Sequence, residues 1–170
     1  FEKDLLALFP MEENAMLKQV TYDALGSIGG DGSFEQLFDA FQSDRKDRGI
    51  ADSLARLQAP SADAKAMKQA LSGDTLEEQL SAIRVLELRN VPGSTGLVNT
   101  IVKSSEEVKL RQAAMKTMES IGDLESIEIL MDLILSRDAL LRPAQRSLKR
   151  MSVNFLAPDF LWEHYFQPAF

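Results

Sequence analysis

The sequence predicts an all-α protein, an α-solenoid in which about five helical hairpins stack as a right-handed superhelix. Three observations lead to this prediction. Apolar residues recur at helical spacing along most of the chain. Short turns rich in Gly, Asn, Asp and Pro separate helices that come in pairs, and the pairs repeat with a nearly constant period. A chain of 170 residues with 45% apolar and 26% charged residues is long enough for such a stack.

The clearest hairpin runs from Leu110 to Ile134. Its first half carries apolar residues on one helical face, and we expect Gly122 to end that helix in the left-handed conformation. Asp123 is then placed to cap the second helix, whose apolar side chains, beginning with Leu124, should point inward. Because a lone hairpin cannot bury both of its apolar faces, this one predicts neighbours on either side.

The other elements follow the same plan in chain order. Residues 1–9 predict the second helix of a preceding hairpin, so we expect the chain to be a piece of a longer polypeptide. The five repeats of a single domain then cover 12–44, 45–74, 75–104, 105–138 and 139–170. The apolar anchors of their first helices are spaced by 29 to 32 residues: Leu25, Leu54, Leu86, Met118 and Leu148. This regularity favours a repeat over an irregular helical bundle, which remains the alternative.

Local signals mark the helix boundaries. Capping-box patterns pair Ser33 with Gln36, Thr75 with Glu78, and Ser104 with Glu107. Pro143 fits a helix only in its first turn. The first helix of the first repeat has apolar positions at Met16, Leu17, Val20, Tyr22, Leu25 and Ile28, and the second helix has a predicted buried face at Phe34, Leu37, Phe38 and Phe41.

Composition restricts the classes of function. The formal charge of −7 and the pI near 4.8 argue against broad binding to a phosphate backbone. The absence of cysteine removes disulfides, thiolate metal sites and cysteine nucleophiles. No apolar run is long enough to span a membrane. The compartment stays open, with the cytoplasm favoured.

One motif resembles a known family. The run Leu110-Arg-x-Ala-Ala-x-x-x-Met-x-x-Ile-Gly-Asp123, followed by an apolar helix, resembles the short HEAT-like repeat that is also named for phycobilisome lyases. The pattern is echoed at 24–29 and 141–144, and the resemblance covers about residues 10–155. The third repeat departs from it, because Arg89-Asn90 stands where an Ile-Gly pair is expected. The resemblance implies a curved solenoid whose second helices line a concave side, and it implies no activity.

The sequence offers no catalytic constellation. The single histidine, His164, has neither a second histidine nor a cysteine to work with, so packing or a surface position is the better interpretation. No serine sits in a nucleophile elbow. We therefore expect no enzyme activity, no metal and no cofactor.

Acidic positions on the second helices are the first candidate for partner binding. Glu35 and Asp39 in the first repeat match Glu128 and Asp132 in the fourth. On the concave side implied by the resemblance they could hold a basic peptide or domain. The alternative is an ordinary solvated helix face.

Two further groups of residues stand out. Basic side chains gather on the first helices of the last two repeats, at Lys109, Arg111, Lys116, Arg142, Arg146, Lys149 and Arg150. We interpret them as a solvated convex face, with a phosphate-binding ridge as the alternative. Aromatic residues concentrate at both ends and are absent from 42–154. Those near the C-terminus, Trp162, Tyr165 and Phe166 among them, predict either an internal cap or a docking surface.

The expected function is a non-catalytic protein-interaction or scaffolding module that binds a protein partner on a preformed concave surface. The partner would be a basic segment or another domain of the parent chain. The alternative is a HEAT-repeat enzyme or chaperone similar to the bilin lyases, acting on a tetrapyrrole-bearing protein. Nucleic-acid binding, as in the helical-repeat alkylpurine glycosylases, is disfavoured by the negative charge.

Overall fold

The computed structural model describes residues 2–8, 14–59 and 61–155. Every regular element within these ranges is an α-helix, which confirms the predicted all-α class. The helices are α1 (Glu2–Leu8), α2 (Ala15–Ile28), α3 (Asp31–Ser43), α4 (Arg48–Arg56), α5 (Ala62–Ser72), α6 (Leu76–Arg89), α7 (Ser94–Ser104), α8 (Val108–Ile121), α9 (Leu124–Leu135) and α10 (Leu141–Phe155). His164 and the three C-terminal aromatic candidates, Trp162, Tyr165 and Phe166, lie outside the described residues.

The chain forms two compact units, an N-terminal unit over Phe1–Val91 and a C-terminal unit over Pro92–Phe170. The N-terminal unit contains α1 to α6 and the C-terminal unit contains α7 to α10. None of the helices in the described ranges is long and apolar enough to cross a membrane.

In the N-terminal unit, α2 packs on α4 and α4 packs on α6. These three are the first helices of the first three predicted repeats. Helix α3 covers α4 and α6 and supplies the bulkiest core side chains. Phe34, Leu37, Phe38 and Phe41 are fully or almost fully buried, as predicted. The rings of Phe34 and Phe38 stack with their centroids 5.6 Å apart. The aromatic residues of this part of the chain therefore build a core.

In the C-terminal unit, α8 packs against both α7 and α10. The buried residues of α8 include Leu110, Met115 and Met118. Met115 lies outside the apolar face that the sequence predicts, which consists of Leu110, Ala113, Ala114, Thr117, Met118 and Ile121. It is buried because α8 has neighbours on two sides, and a helix held in this way buries more than one stripe.

Two of the predicted helix caps form. Asp123 Oδ1 accepts from the backbone N–H of Ser126 at 2.9 Å, and Ser126 Oγ accepts from the backbone N–H of Asp123 at 3.2 Å, so α9 begins with a reciprocal capping box. Thr75 Oγ1 accepts from the N–H of Glu78 at 3.1 Å. The reciprocal bond differs from the prediction, because Glu78 Oε2 accepts from Asp74 instead of Thr75. Pro143 lies in the first turn of α10, as expected.

The other two predicted capping boxes are wrong. Helix α3 begins before Ser33, and the carboxylate of Glu2 accepts from Gly30 N and from Ser33 Oγ, each at 2.6 Å. The Glu2 side chain of α1 thus binds the start of α3, and Ser33 donates to this carboxylate instead of capping the helix. Ser104 is the last residue of α7, and α8 starts after Glu107 with no side-chain cap.

Gly122 ends α8 as expected but not in the predicted conformation. Its φ of −67° and ψ of 162° are extended values that any residue can adopt. Glycine is needed for space: a Cβ here would lie 2.5 Å from Met118 O and 2.6 Å from Met151 Cε. Two left-handed residues, Asn90 (φ 47°) and Gly93 (φ 77°), lie in the turn that lacks the Ile-Gly pair, and a third, Arg137 (φ 53°), follows α9.

The same unusual turn is anchored by Arg89. Its guanidinium donates to the carbonyl oxygens of Leu54 and Leu57, both at 2.7 Å, and to Asp63 Oδ1 at 2.6 Å. The Arg89 side chain is only 10% exposed. It thus satisfies the open carbonyls at the end of α4, which makes it a structural residue.

Several predicted inward positions face outward. Leu124 is more than half exposed, and so are four of the apolar residues of α2, namely Met16, Leu17, Val20 and Ile28. Among the predicted apolar positions of α2, Leu25 is fully buried. Helical spacing alone does not tell which apolar residues a neighbouring helix will cover.

Candidate partner-binding groove

The candidate site in the N-terminal unit is a groove that we call the acidic groove. It has a volume of about 360 Å³ and is formed by residues of α3, α5 and the start of α6. Its lining consists of Glu35, Lys65, Lys68, Gln69, Ser72, Gly73, Asp74 and Glu78. Of the predicted site residues, Glu35 lines this groove and Asp39 lies one helical turn further along α3, on the same exposed side.

Two local features fix the walls of the groove. Lys65 Nζ on α5 is 2.6 Å from Glu35 Oε1 on α3, so an ion pair ties the two walls together. At the other end the chain turns tightly through Gly73. A Cβ on this residue would lie 2.7 Å from Gln69 O and 3.1 Å from Glu78 Cγ. The glycine therefore lets the start of α6 approach the end of α5.

Asp39 is the electrostatically distinctive residue beside the acidic groove. The pKa of its carboxyl is raised, first by partial desolvation and then by the negative charges of Glu35 and Glu78. The ionised form of Asp39 is therefore disfavoured by two neighbouring carboxylates, of which Glu35 is itself paired with Lys65. The repulsion would be relieved by a cation placed between them.

Gln69 adds an acceptor to the same groove. Its side-chain oxygen Oε1 is buried and accepts no hydrogen bond within the described part of the chain. A buried acceptor without a donor is costly, since its desolvation is not compensated. An ammonium or guanidinium group entering the groove would supply the missing N–H.

The second predicted pair lies in the C-terminal unit. Glu128 and Asp132 are exposed on α9, and Leu124 and Leu135 lie at either end of the same helical side. The neighbouring Glu125 is held by Lys103 of α7, with Nζ and Oε1 2.8 Å apart. The lysine, through its hydrogen bond and its charge, lowers the pKa of Glu125. An acidic surface with leucine at both ends is thus present on α9.

The chemistry available in these places is recognition of positive charge. The described residues contain no group of three or more His, Cys, Asp or Glu side chains arranged to hold a metal ion. Carboxylates and a free amide oxygen can accept from several N–H donors at once. Such an arrangement suits a lysine or arginine side chain of a partner.

Sequence reasoning did not find Gln69, Lys65 or Glu78 as members of the site. Glu78 was visible only as part of a capping pattern, and the two α5 residues carry no local signal. They come together through the packing of α5 and α6, which follow α3 in the chain only after the whole of α4 and its flanking loops. The sequence could have indicated only that Lys65 lies thirty residues after Glu35, about one repeat away.

Comparison of the chain with protein-family models, with curated proteins and with solved structures gives no match.

Proposed function

We propose that this chain is a non-catalytic protein-interaction module, built from HEAT-like hairpins, that binds a basic segment of a protein partner along the exposed acidic side of its second helices. The acidic groove beside Asp39 is the principal contact, and the acidic surface of α9 is a further contact for the same kind of segment. A solenoid of such hairpins would present both surfaces preformed, so that little ordering is needed on binding.

The observation that carries this proposal is the placement of Glu35 and Glu78 beside Asp39, whose pKa is raised first by partial desolvation and then by these two charges. A carboxyl whose pKa is raised by burial and by neighbouring charges marks a functional site more often than a random position does. The buried acceptor of Gln69, which lines the same groove as Glu35 and Glu78, supports the same conclusion. Both features favour a ligand that brings positive charge together with N–H donors.

The test uses a short peptide of alternating Lys and Ala, with a Glu and Ala peptide of equal length as the negative probe. We expect saturable binding of the lysine peptide only, and isothermal titration calorimetry measures the affinity. Changing Asp39→Asn together with Glu78→Gln should weaken binding by roughly threefold to tenfold, since two exposed charge pairs are removed. Raising the salt concentration should weaken it as well, because these charges are screened.

The matched control changes Asp52→Asn together with Glu106→Gln. Both residues are exposed, and neither lines the acidic groove. The control removes the same net charge, so it should leave the affinity close to that of the wild-type chain. If both double variants lose affinity equally, the chain attracts cations through its net charge alone and the proposed site is wrong.

A further inference from the structure

Charge is strongly segregated within the C-terminal unit. Helices α8 and α10 together carry seven basic residues and a single carboxylate, Glu119. Helix α9 of the same unit carries three acidic residues and no basic one. A cationic surface inside a chain of formal charge −7 is therefore local to α8 and α10.

A groove lies between these two helices, and we call it the basic groove. Its volume is about 360 Å³, and its charged lining consists of Lys116, Glu119, Arg146 and Arg150, with Ser147 between them. The packing of α10 on α8 sets its width. The groove lies wholly within the C-terminal unit and shares no residue with the acidic groove.

The single carboxylate of the basic groove is already neutralised. Glu119 Oε1 accepts from Ser147 Oγ at 2.9 Å, and Glu119 Oε2 accepts from Arg150 Nη1 at 2.8 Å. The Glu119 side chain is 12% exposed and that of Arg150 is 57% exposed, so the carboxylate forms the floor and the guanidinium reaches solvent. Lys116 and Arg146 have no acceptor within the described part of the chain.

The charges of the lining decide the chemistry of the ligand. Lys116, Arg146 and Arg150 against Glu119 leave two positive charges within one small groove. A phosphate monoester carries a charge of about −1.5 to −2 at neutral pH, and arginine offers it paired N–H donors. A single carboxylate would compensate only half of the positive charge.

A long polyanion fits this surface poorly. The chain is acidic overall, so phosphates beyond the groove would meet repulsion. No aromatic residue occurs between 42 and 154, so α8 and all of α10 before Phe155 lack the rings on which nucleic-acid bases stack. A compact phosphate carried by a protein chain avoids both problems.

We propose that the basic groove binds a phosphoserine or phosphothreonine side chain of a partner protein, held by Lys116, Arg146 and Arg150 while Glu119 and Ser147 fix the guanidinium of Arg150. This goes beyond the proposed function, because it assigns a second site of opposite charge and makes the association depend on phosphorylation of the partner. Arginine clusters are a recurring means of reading phosphorylated motifs.

The experiment titrates the full chain, labelled with ¹⁵N, with a short Gly and Ala peptide that carries one central phosphoserine. Backbone amide shifts are expected around 112–119 and 143–150, and the same peptide with unmodified serine should cause none. Changing Lys116→Gln together with Arg146→Gln should weaken binding by about tenfold or more, since two charge-assisted contacts are lost. Both residues are exposed, so the fold should persist, which circular dichroism checks.

The charge-matched control changes Lys109→Gln together with Arg142→Gln, two exposed basic residues of the same helices outside the groove. It should keep the affinity of the wild-type chain. Equal loss in both double variants would show diffuse attraction and overturn the proposal. It would also be overturned if the serine peptide, inorganic phosphate alone or a single-stranded RNA bound as tightly as the phosphopeptide. Asp39→Asn should not change this titration, so failure here and failure of the acidic groove are separable.

Discussion

At the scale of single residues, Gly122 shows how a motif position can be required for a reason other than the one its sequence suggests. The residue follows α8 in an extended conformation, and its missing side chain makes room for Met118 O and Met151 Cε. Gly96 offers the contrast, because a Cβ there meets nothing within 4 Å and the residue lies inside α7. Packing therefore requires glycine at position 122 and does not require it at position 96.

We therefore expect Gly122→Ala to lower the free energy of unfolding by about 1–3 kcal/mol, the usual cost of overpacking. Gly96→Ala should raise it by about 0.5–1 kcal/mol, because alanine loses less backbone entropy in a helix. Urea denaturation of the two variants measures both. A neutral Gly122→Ala would mean that the end of α8 relaxes easily and that the close approach is not a constraint.

Arg89 stands where the repeat motif has an isoleucine, and its side chain binds the carbonyl groups at the end of α4. Its side chain donates to Leu54 O, Leu57 O and Asp63, so Arg89→Met leaves two carbonyl groups of the α4 end without a donor. The expected loss is about 2–3 kcal/mol of unfolding free energy. Arg84→Met on the same helix is the control, because the Arg84–Glu87 pair lies nearer the surface and should contribute within about 0.5 kcal/mol. Equal losses would contradict the role of Arg89.

Asp39 gives a pH-dependent prediction. The pKa of Asp39 is raised in the folded protein, so the folded state favours the protonated carboxyl. The stability that this preference contributes is fully present below the unfolded aspartate pKa of about 3.9, and it is lost as the pH rises through the folded value. Asp39→Asn should therefore stabilise the chain slightly at pH 7, by up to about 0.5 kcal/mol after solvent screening, and the gain should vanish below pH ~3.5. Thermal unfolding at both pH values measures this. A variant less stable at pH 7 would contradict the repulsion.

At the scale of elements, the stability of α9 depends more on the capping residues at its start than on the residues of its exposed acidic side. Asp123 and Ser126 cap each other, and Ser126 Oγ also donates to Asn99 Oδ1 of α7 at 2.7 Å. Burial acts to raise the pKa of Asp123, but hydrogen bonds, those from Ser126 foremost, hold it below its usual range. The cap therefore starts α9 and joins it to α7.

Removing this cap should loosen α9. We expect Asp123→Ala to cost about 1 kcal/mol of unfolding free energy and to speed amide hydrogen exchange in the first turn of α9. Glu128→Ala, an exposed change on the same helix, should stay within about 0.5 kcal/mol. If both variants exchange alike, the capping box contributes nothing measurable.

Elements also show where sequence reasoning reaches its limit. Helix existence and approximate bounds followed from apolar spacing, and the buried phenylalanines of α3 were predicted correctly. Met16, at 78% exposure, and Leu135, at 73%, lie on helices whose apolar faces are only partly covered. Which stripe of a helix is covered depends on where its neighbours lie, and periodicity does not contain that information.

At the scale of the whole molecule, the two proposed sites lie in different compact units, each with its own buried core. We expect Asp39→Asn with Glu78→Gln to weaken only the lysine peptide, and Lys116→Gln with Arg146→Gln to weaken only the phosphopeptide. Substitutions that share no partners usually act additively. Titrating each variant with both peptides tests this, and a substantial effect across the two sites would show coupling between them.

The sequence by itself determined the all-α class, the order of the helices and the capping of α9, because these depend on neighbours within one or two turns. It also placed the acidic residues of α3 and α9 and the basic residues of α8 and α10 on their helices. Tertiary structure alone decided that Glu2 binds the start of α3, that Arg89 donates to the carbonyl groups at the end of α4, and that position 122 has no room for a side chain. It also brought Gln69 and Glu78 into one groove with Glu35, and Lys116 into one groove with Arg146. These contacts join residues far apart in the chain, so they follow from how the helices pack and no local pattern encodes them.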